Sequence, residues 1–477
     1  MSTETEARAA AANGEIENPL NRLTDEQIEA LGREFDAIHD EVFSDLGERD
    51  AKYIRSMIEM HRRLVLLGRA ILVPSRFWPA WILGTGALGS AKILENMEIG
   101  HNVMHGQWDW MNNPEIHSST WDWDTASTKE AWKHSHNYIH HTYTNIRGKD
   151  KDLGYEIMRI DPHQKWHPVY LFQPLYNLAL MALFEWGVAV HDMDIEAIRA
   201  GEKPKEDIVK DLKGIAGKAR TQIVKDYIAW PALSALAAAA ATTAVELVRG
   251  RGEPRPASRR EGLRRRLDPR RRTKRALAEQ LGRRALDTGV RTYKATFWAD
   301  IAANVVRNLW SHAIIFCGHF PDQTYTFNQD EVEDETRGAW YVRQLAGAAN
   351  IEGGPMFHVW SGNLGYQVEH HLFPDIPSTR YAEIAPRVKE ICERYELPYN
   401  TGPFFQQWGM VNRTILRLAF PGGKPRPKPG PYKGGDGAAA ASANGRSRRP
   451  EERPTGANGS GPEQADEGVR VEMPEED

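Results

Sequence analysis

The stretch LVLLGRAILVPSRFWPAWILGTGALGSAKILENMEIGHNVMH, residues 64–105, is apolar for most of its length and ends in two histidines. Pro74-Ser75-Arg76 interrupts it, and proline does not continue a helix, so it reads as two helices turning back on each other. The first half is short for a membrane span and carries Arg69. Residues 169–190 (VYLFQPLYNLALMALFEWGVAV) and 227–248 (YIAWPALSALAAAAATTAVELV) each approach the ~20 apolar residues that cross a hydrocarbon core. A weaker tract, 297–317, carries Asp300 and Arg307. Such tracts fit the buried helices of a large soluble α-protein or a membrane bundle, and we adopt the membrane reading.

The mean hydropathy of −0.58 argues the other way only because polar residues are concentrated in a few segments. With 477 residues the chain could hold two or three average soluble domains, and a net charge of −4 selects no class of partner. Cys317 and Cys392 are too few for a disulfide framework, an iron–sulfur cluster or a Cys-based zinc site. The N-terminus, MSTETEARAAAANGEIENP, has neither a basic start nor an apolar core, so no cleaved signal peptide is expected.

Residues 1–60 read as a polar helical region. Thr24-Asp25-Glu26-Gln27 fits a capping box, and Ile28, Leu31, Phe35, Ile38 and Val42 recur at helical spacing. Residues 249–291 form an arginine-rich insertion whose core, 249–284, is expected to meet anionic lipid headgroups. Nucleic acid is not expected there, since no aromatic interleaving accompanies the charge. Residues 420–477 are rich in Gly, Pro, Ala and charge, the composition of a disordered tail. The remaining blocks, 61–248 and 292–419, form the main domain, and no internal repeat is present.

Of the seventeen histidines, three clusters adjoin apolar tracts. His101 and His105 have the i, i+4 spacing that puts both imidazoles on one helix face. In WKHSHNYIHHTYTN (132–145), His136 and His140 share a face and His141 lies one helical step, about 100°, round from His140. His134 has a different bearing. His370 and His371 are adjacent in GYQVEHHLFPDIP, and His319 ends the fifth tract, with Asn308 and His312 on roughly the same helical face. Zinc is satisfied by about four ligands, whereas eight imidazoles could serve two metals. Imidazole suits zinc, copper, iron and nickel alike. The Glu-x-x-His pattern of helix-bundle di-iron carboxylate proteins is not evident. An all-nitrogen, neutral ligand set leaves high-valent iron more oxidising, which suits attack on unactivated C–H bonds.

The chain resembles the membrane fatty-acid desaturases, whose signature is three histidine boxes of the forms HxxxH, HxxxHH or HxxHH, and [HQ]xxHH. Here they are H-N-V-M-H (101–105), H-N-Y-I-H-H (136–141) and Q-V-E-H-H (367–371). The phrases NVMHGQWDWMN, HTYTNIRGKDKDLGY, NLWSHAIIFCGHFPD and SGNLGYQVEHHLFPDIPSTR look most like actinobacterial acyl-CoA desaturases of the stearoyl-CoA Δ9 type. The resemblance spans roughly residues 60–245 and 292–415. It implies an all-α, multi-pass integral membrane bundle of about four spans, with a cytosolic helical cap holding a histidine-rich di-iron centre. It further implies an oxidoreductase that uses two non-haem Fe2+ ions, O2 and external electrons to place a cis double bond in a long-chain acyl-CoA. By motif position the implied iron ligands are His101, His105, His136, His140, His141, His370 and His371, with His319 as an additional one. Asn308, His312, Gln367 and His134 are weaker candidates for outer contacts. Gln367 stands where other branches carry His.

No fused cytochrome b5 motif, nucleotide-binding glycine fingerprint or ferredoxin cysteine set is present, so a separate reductase, ferredoxin or cytochrome is the expected electron donor. Trp108, Trp110, Trp121, Trp123 and Trp132 fall between boxes one and two, where they could anchor at the membrane interface or wall a substrate slot. Trp108, Trp110 and Asp152 are taken as substrate-binding candidates, and Asp150 could shape the adjoining turn. Spans at 169–190 and 227–248 would put the basic run on the side of the boxes, as the positive-inside rule prefers, with the boxes cytosolic at the plasma membrane. Two other readings use the same residues. One is a hydroxylase, ketolase or epoxidase of the same superfamily. The other is a non-catalytic membrane metal-binding protein, although a transporter would place its ligands at the bilayer midplane.

Overall fold

The computed structural model describes residues 18–248 and 269–421. The N-terminal 17 residues, the first half of the arginine-rich run and the tail beyond 421 lie outside the described residues. Among the described residues the fold is helical, with one two-stranded parallel ladder, Asn350–Glu352 on Thr401–Pro403.

Helix α1 (Asp25–Ser44) begins at the expected capping box: Thr24 Oγ1 accepts from Gln27 N–H, and the Gln27 side chain accepts from Thr24 N–H. Its stripe of Leu31, Phe35, Ile38 and Val42 is buried with residues that hold the third histidine box, including Tyr341, Val368 and Phe373. Each such side chain contributes on the order of 1.5–3 kcal/mol on burial. A Cβ on Gly338 would lie 2.1 Å from the Ile28 carbonyl oxygen, so only glycine permits this approach of α1 to its neighbour. Residues 25–44 are thus part of the core that packs around the third histidine box.

Helix α2 (Glu48–Leu72) runs through the expected boundary at residue 60 without a break and turns back at Pro74 into α3 (Trp78–Ile93). The two touch almost backbone to backbone: a Cβ on Gly68 or on Gly84 would lie 3.2 Å from the other's carbonyl oxygen. Small residues allow such contact where apolar helices pack without a strong hydrophobic drive.

The tract 169–190 is not one helix. It comprises a 3-10 turn, α4 (Gln173–Ala182) and α5 (Phe184–His191), separated at Leu183 (φ −118°, ψ 30°). Ten residues of α4 rise about 15 Å, half a hydrocarbon core. The tract's polar members explain its course, since Gln173, Asn177 and Glu185, with His191 just after it, are all buried against the rest of the chain.

After α6 (Lys205–Gln222) and a π-turn comes α7 (Trp230–Val248), which packs along α8 (Pro269–His319). Among the described residues, Lys205–Val248 is the one helix long and apolar enough to cross a membrane by length and composition. The 51 residues of α8 extend about 76 Å and contain the whole 297–317 tract. Arg284 pairs with Glu246 near one end of the α7–α8 pair, and His319 ends α8 at the other. The chain therefore leaves α7 at the end remote from His319. The described part of the basic run, residues 269–284 at the start of α8, thus lies at the end remote from His319, whereas the sequence reading set the run beside the boxes by pairing α7 with 169–190.

The charges inside the apolar tracts find each other. Arg69 binds Asp300 and Asp226, and Lys92 binds Asp226 at 2.8 Å, all of them buried. Above this layer α2, α3, α7 and α8 expose Leu66, Leu67, Trp78, Ile82, Leu83, Leu233, Leu236, Leu247, Leu286 and Val290.

Candidate metal centre

Four elements bring the histidines together. Box one lies where the π-turn Leu94–His101 passes into Asn102–Met104, and box two occupies the π-helix Lys133–His140 and its continuation. π-turns inside helices are frequent at functional sites because the extra residue re-aims a side chain. His319 is the last residue of α8. After α9 (Arg337–Gly347), box three forms α10 (Gln367–Leu372), every residue of which is buried.

Two groups result. His101, His105, His136 and His370 offer ligand atoms within 4.8 Å of one another, and so do His140, His319 and His371. His141 sits between them, its ring 4.7 Å from His105, 4.9 Å from His370 and 4.6 Å from His371. His136, His140 and Asp152 form a third, overlapping group.

A second ring of groups fixes which nitrogen faces the centre. Nδ1 of His101 meets Asn102 Oδ1 at 3.1 Å, that of His140 meets Asp150 Oδ1 at 3.0 Å, and that of His371 meets Gln344 Oε1 at 3.0 Å. Nδ1 of His370 lies 3.2 Å from the Tyr381 hydroxyl, at the start of α11 (Tyr381–Arg394). Acceptors at Nδ1 hold the proton there and leave the Nε2 lone pair free, the arrangement that orients metal-ligating histidines. Nε2 of His105, His136, His140, His141 and His370 is buried with no hydrogen-bond partner among the described residues. Orphaned buried acceptors are costly, and a shared cation satisfies them together. The residues fit a metal pair.

The electrostatics agree. Burial first, then the neighbouring His136, push His101 down to about 3. Burial likewise holds His105, His141, His319, His370 and His371 well below the usual imidazole range, reinforced by their neighbours. Neutral imidazole is the form that binds metal. Burial also opposes protonation of His140 and His191, but Asp150 and Asp152 raise His140, and Asp152 raises His191 to about 9.

The weaker candidates divide. Gln367 Nε2 lies 3.1 Å from His319 Nε2, within the centre. His312 bonds Asn177 and stacks on Phe316 at 3.8 Å, outside both groups. Asn308 donates to the Ala182 carbonyl and accepts from Arg307. His134 is exposed and stacks on Tyr138. Asp152 binds His191 at 2.9 Å and approaches His136 and His140, so it acts on the histidines themselves. Asn102, His191, Gln344 and Tyr381 were not singled out from sequence. Only the position of Asn102 beside a box histidine signals its part.

A cavity opens on the centre. His101, His136 and His319 line it together with Met97, Trp123, Trp132, Tyr155, Phe184 and Ile315. Trp132 stacks on His136 at 4.5 Å. Trp108 is not a wall: it is fully buried elsewhere, beside Ile54, Val103 and Ile116, with Trp110 packed against the same cluster.

The profile of the fatty acid desaturase family matches residues 248–403. The NADPH-dependent stearoyl-CoA 9-desaturase of Mycobacterium tuberculosis is 43% identical over 399 residues, covering 84% of this chain and 82% of that protein. The sn-1 linoleoyl-lipid 6-desaturase of Synechocystis is 23% identical over 348 residues, 70% of this chain and 79% of that protein. Human fatty acid desaturase 3 is 34% identical over 117 residues, 24% of each chain. No solved structure matches.

Proposed function

The chain belongs to the fatty acid desaturase family, an oxidoreductase family, and from that premise we propose that it places a cis double bond at the 9-position of a long-chain acyl-CoA. The observation that carries this reading is the convergence of eight buried or half-buried histidines, five of them with an Nε2 that has no partner among the described residues, beside a cavity lined by His101, His136 and His319. Stearoyl or palmitoyl chains are the proposed substrates. Two electrons, two protons and O2 are consumed, the chain loses two hydrogens, and two waters leave.

His101, His105, His136 and His370 would hold one iron and His140, His319 and His371 the other, with His141 between them. When bound, the iron pair supplies the oxidising power for removing hydrogen from an unactivated CH2. Asn102, Asp150 and Gln344 keep protons on Nδ1 of His101, His140 and His371, so the opposite nitrogens stay available. Trp123, Trp132, Phe184 and Ile315 exclude water from the acyl chain and confine it to an extended path beside the histidines. The electron donor is a separate NADPH-linked carrier docking on the histidine-bearing side.

The exposed apolar surface of α2, α3, α7 and α8 supports insertion of these helices in a membrane, with the cap and histidines in the cytosol. The basic run would then meet headgroups of the opposite leaflet. Labelling of a cysteine introduced near residue 260 with a membrane-impermeant maleimide on intact cells tests this. Labelling only after lysis sinks it.

Expression in a host lacking the activity, with iron and a reductase, followed by analysis of fatty-acid methyl esters, tests the reaction. A 9-alkene is the expected product. Hydroxy acids without alkene, or no product despite bound iron across several donors, would overturn the proposal.

A further inference from the structure

A cleft of about 70 Å³ lies between the loop 320–326, residues 160–162 and α12 (Phe404–Leu418). His319 is the one described residue that lines both this cleft and the histidine-lined cavity, so its imidazole stands between them. We propose that the cleft is the solvent port of the metal centre. It holds water against the outer edge of His319 and lets water pass to and from the centre while the acyl chain fills the other cavity. The proposal rests on the desaturase reading above, in which two waters leave at each turnover.

Three observations carry it. First, His319 lacks a partner on its outer side. Its Nε2 lies 3.1 Å from Gln367 Nε2 and 3.3 Å from His371 Nε2, so that edge faces the centre. The other ring nitrogen, Nδ1, is buried with no hydrogen-bond partner among the described residues. His101, His140, His370 and His371, by contrast, each have a partner at Nδ1. A histidine that ligates through Nε2 carries its proton on Nδ1, and a buried N–H without an acceptor is costly. Water in the cleft would supply that acceptor. In the same loop Gln323 is 5% exposed, and neither its side-chain oxygen nor its nitrogen has a partner among the described residues.

Second, the cleft has the room and the chemistry for water. A buried water needs roughly 10–15 Å³ of such space and about two to four polar partners. Asp322, Thr324, Thr326 and Thr414 all line the cleft. Its walls are tied at a fixed spacing by the buried guanidinium of Arg159, which donates to the Pro162 carbonyl at 2.7 Å on one side and to the Leu418 carbonyl at 3.4 Å on the other. The Trp166 indole N–H adds a bond to the Ala419 carbonyl at 2.9 Å.

Third, the mouth is polar and weakly closed. Asp322 pairs with Arg413 and accepts from Thr414 Oγ1 at 3.3 Å. The Arg413 side chain is 43% exposed, and an ion pair so placed is worth little. The other cavity offers no such way out during the reaction. An alkyl chain packed against Met97, Trp123, Trp132, Phe184 and Ile315 gives water nothing to bond to. Water formed at the centre then leaves past His319.

The test uses the purified, iron-loaded protein and azide, a small anion that ligates iron and follows the path of water. Its binding is timed by stopped-flow absorbance with and without saturating stearoyl-CoA. Wild type is expected to admit azide in both states. Thr414→Trp, which fills the cleft, is expected to slow entry at least about tenfold with stearoyl-CoA bound and far less without it. Arg413→Ala, which frees the mouth, is expected to speed entry and keeps the test decisive if the filled variant does not fold. Leu416→Trp, at an exposed position of the same helix outside the cleft, is the control. Iron content and the KM for stearoyl-CoA should stay unchanged throughout. Exclusion of azide by stearoyl-CoA in wild type, or wild-type entry rates in both cleft variants, overturns the proposal. A second arm needs neither iron nor turnover. X-ray-generated hydroxyl radicals from water in the cleft are expected to oxidise Leu418, which is 2% exposed, and to spare it in Thr414→Trp. An unoxidised Leu418 in wild type also overturns the proposal. A wild-type protein that binds iron and makes no alkene overturns the functional reading instead, and the radical arm still decides whether the cleft holds water.

Discussion

Asp150→Asn changes one atom of a buried carboxylate, and its consequence can be worked from contacts. Asp150 Oδ1 lies 3.0 Å from His140 Nδ1 and accepts the Asp152 N–H, while Oδ2 accepts the Asn145 N–H at 2.7 Å. The carboxylate thus faces donors at both oxygens, with its side chain 1% exposed. An amide must turn its NH2 toward one of them. Facing His140, it drives the ring proton to Nε2 and removes the lone pair aimed at the centre. Facing Asn145, it leaves two buried donors opposed, at a cost of about 1–3 kcal/mol. Either outcome weakens the site from outside the ligand set, and such changes cost about 10- to 100-fold in metal affinity. Iron retained after dialysis against graded chelator concentrations measures this directly, with a melting curve to confirm that the protein is folded. Wild-type iron affinity in a folded D150N protein would refute the reasoning that Asp150 sets the His140 tautomer.

Three further outcomes are expected. His140→Ala abolishes iron binding by the second group and all desaturation, while His134→Ala leaves both nearly intact; equal losses, read by iron content and product yield, would show the ligand set drawn too narrowly. Arg69→Met leaves Asp300 and Asp226 buried with one cation fewer, which lowers stability by about 3–5 kcal/mol in detergent melts, and a melting point unchanged from wild type would remove this layer as a structural element. His39 of α1 lies 2.9 Å from Asp375, whose hydrogen bond, offset in part by burial, raises the imidazole above its ordinary value. A raised folded-state value means that this stabilisation is full below pH 6.5 and is lost as pH rises through the folded value. Wild type should therefore lose more stability than His39→Ala between pH 6 and 9, and parallel pH profiles would rule out the linkage.

The boxes at 101–105, 136–141 and 367–371 were legible because ligand spacing is local chemistry: an i, i+4 pair or an HH dipeptide states its geometry within one turn. The capping box of α1 and its apolar stripe were legible for the same reason. Arg69, Asp300 and Arg307 looked like flaws in apolar tracts. Only the fold supplied their partners, from residues as distant as Asp226 and Glu185. The tract 169–190 has the composition of a span, yet it divides into short helices at Leu183, and its buried Gln173, Asn177 and Glu185 turn it inward. That in turn decided which helix pairs with α7, and so which end of the pair carries the basic run. Asn308 and His312 share the helical face that leads to His319, but a 51-residue helix carries them to other partners before it reaches the centre. Gln344 meets His371 across 27 residues and His191 meets Asp152 across 39, and no local pattern encodes such contacts. By itself the sequence determined the ligand chemistry, through short-range periodicity. The tertiary structure decided the pairing of helices, the tautomers and the walls of the cavity, because these depend on contacts between residues far apart in the chain.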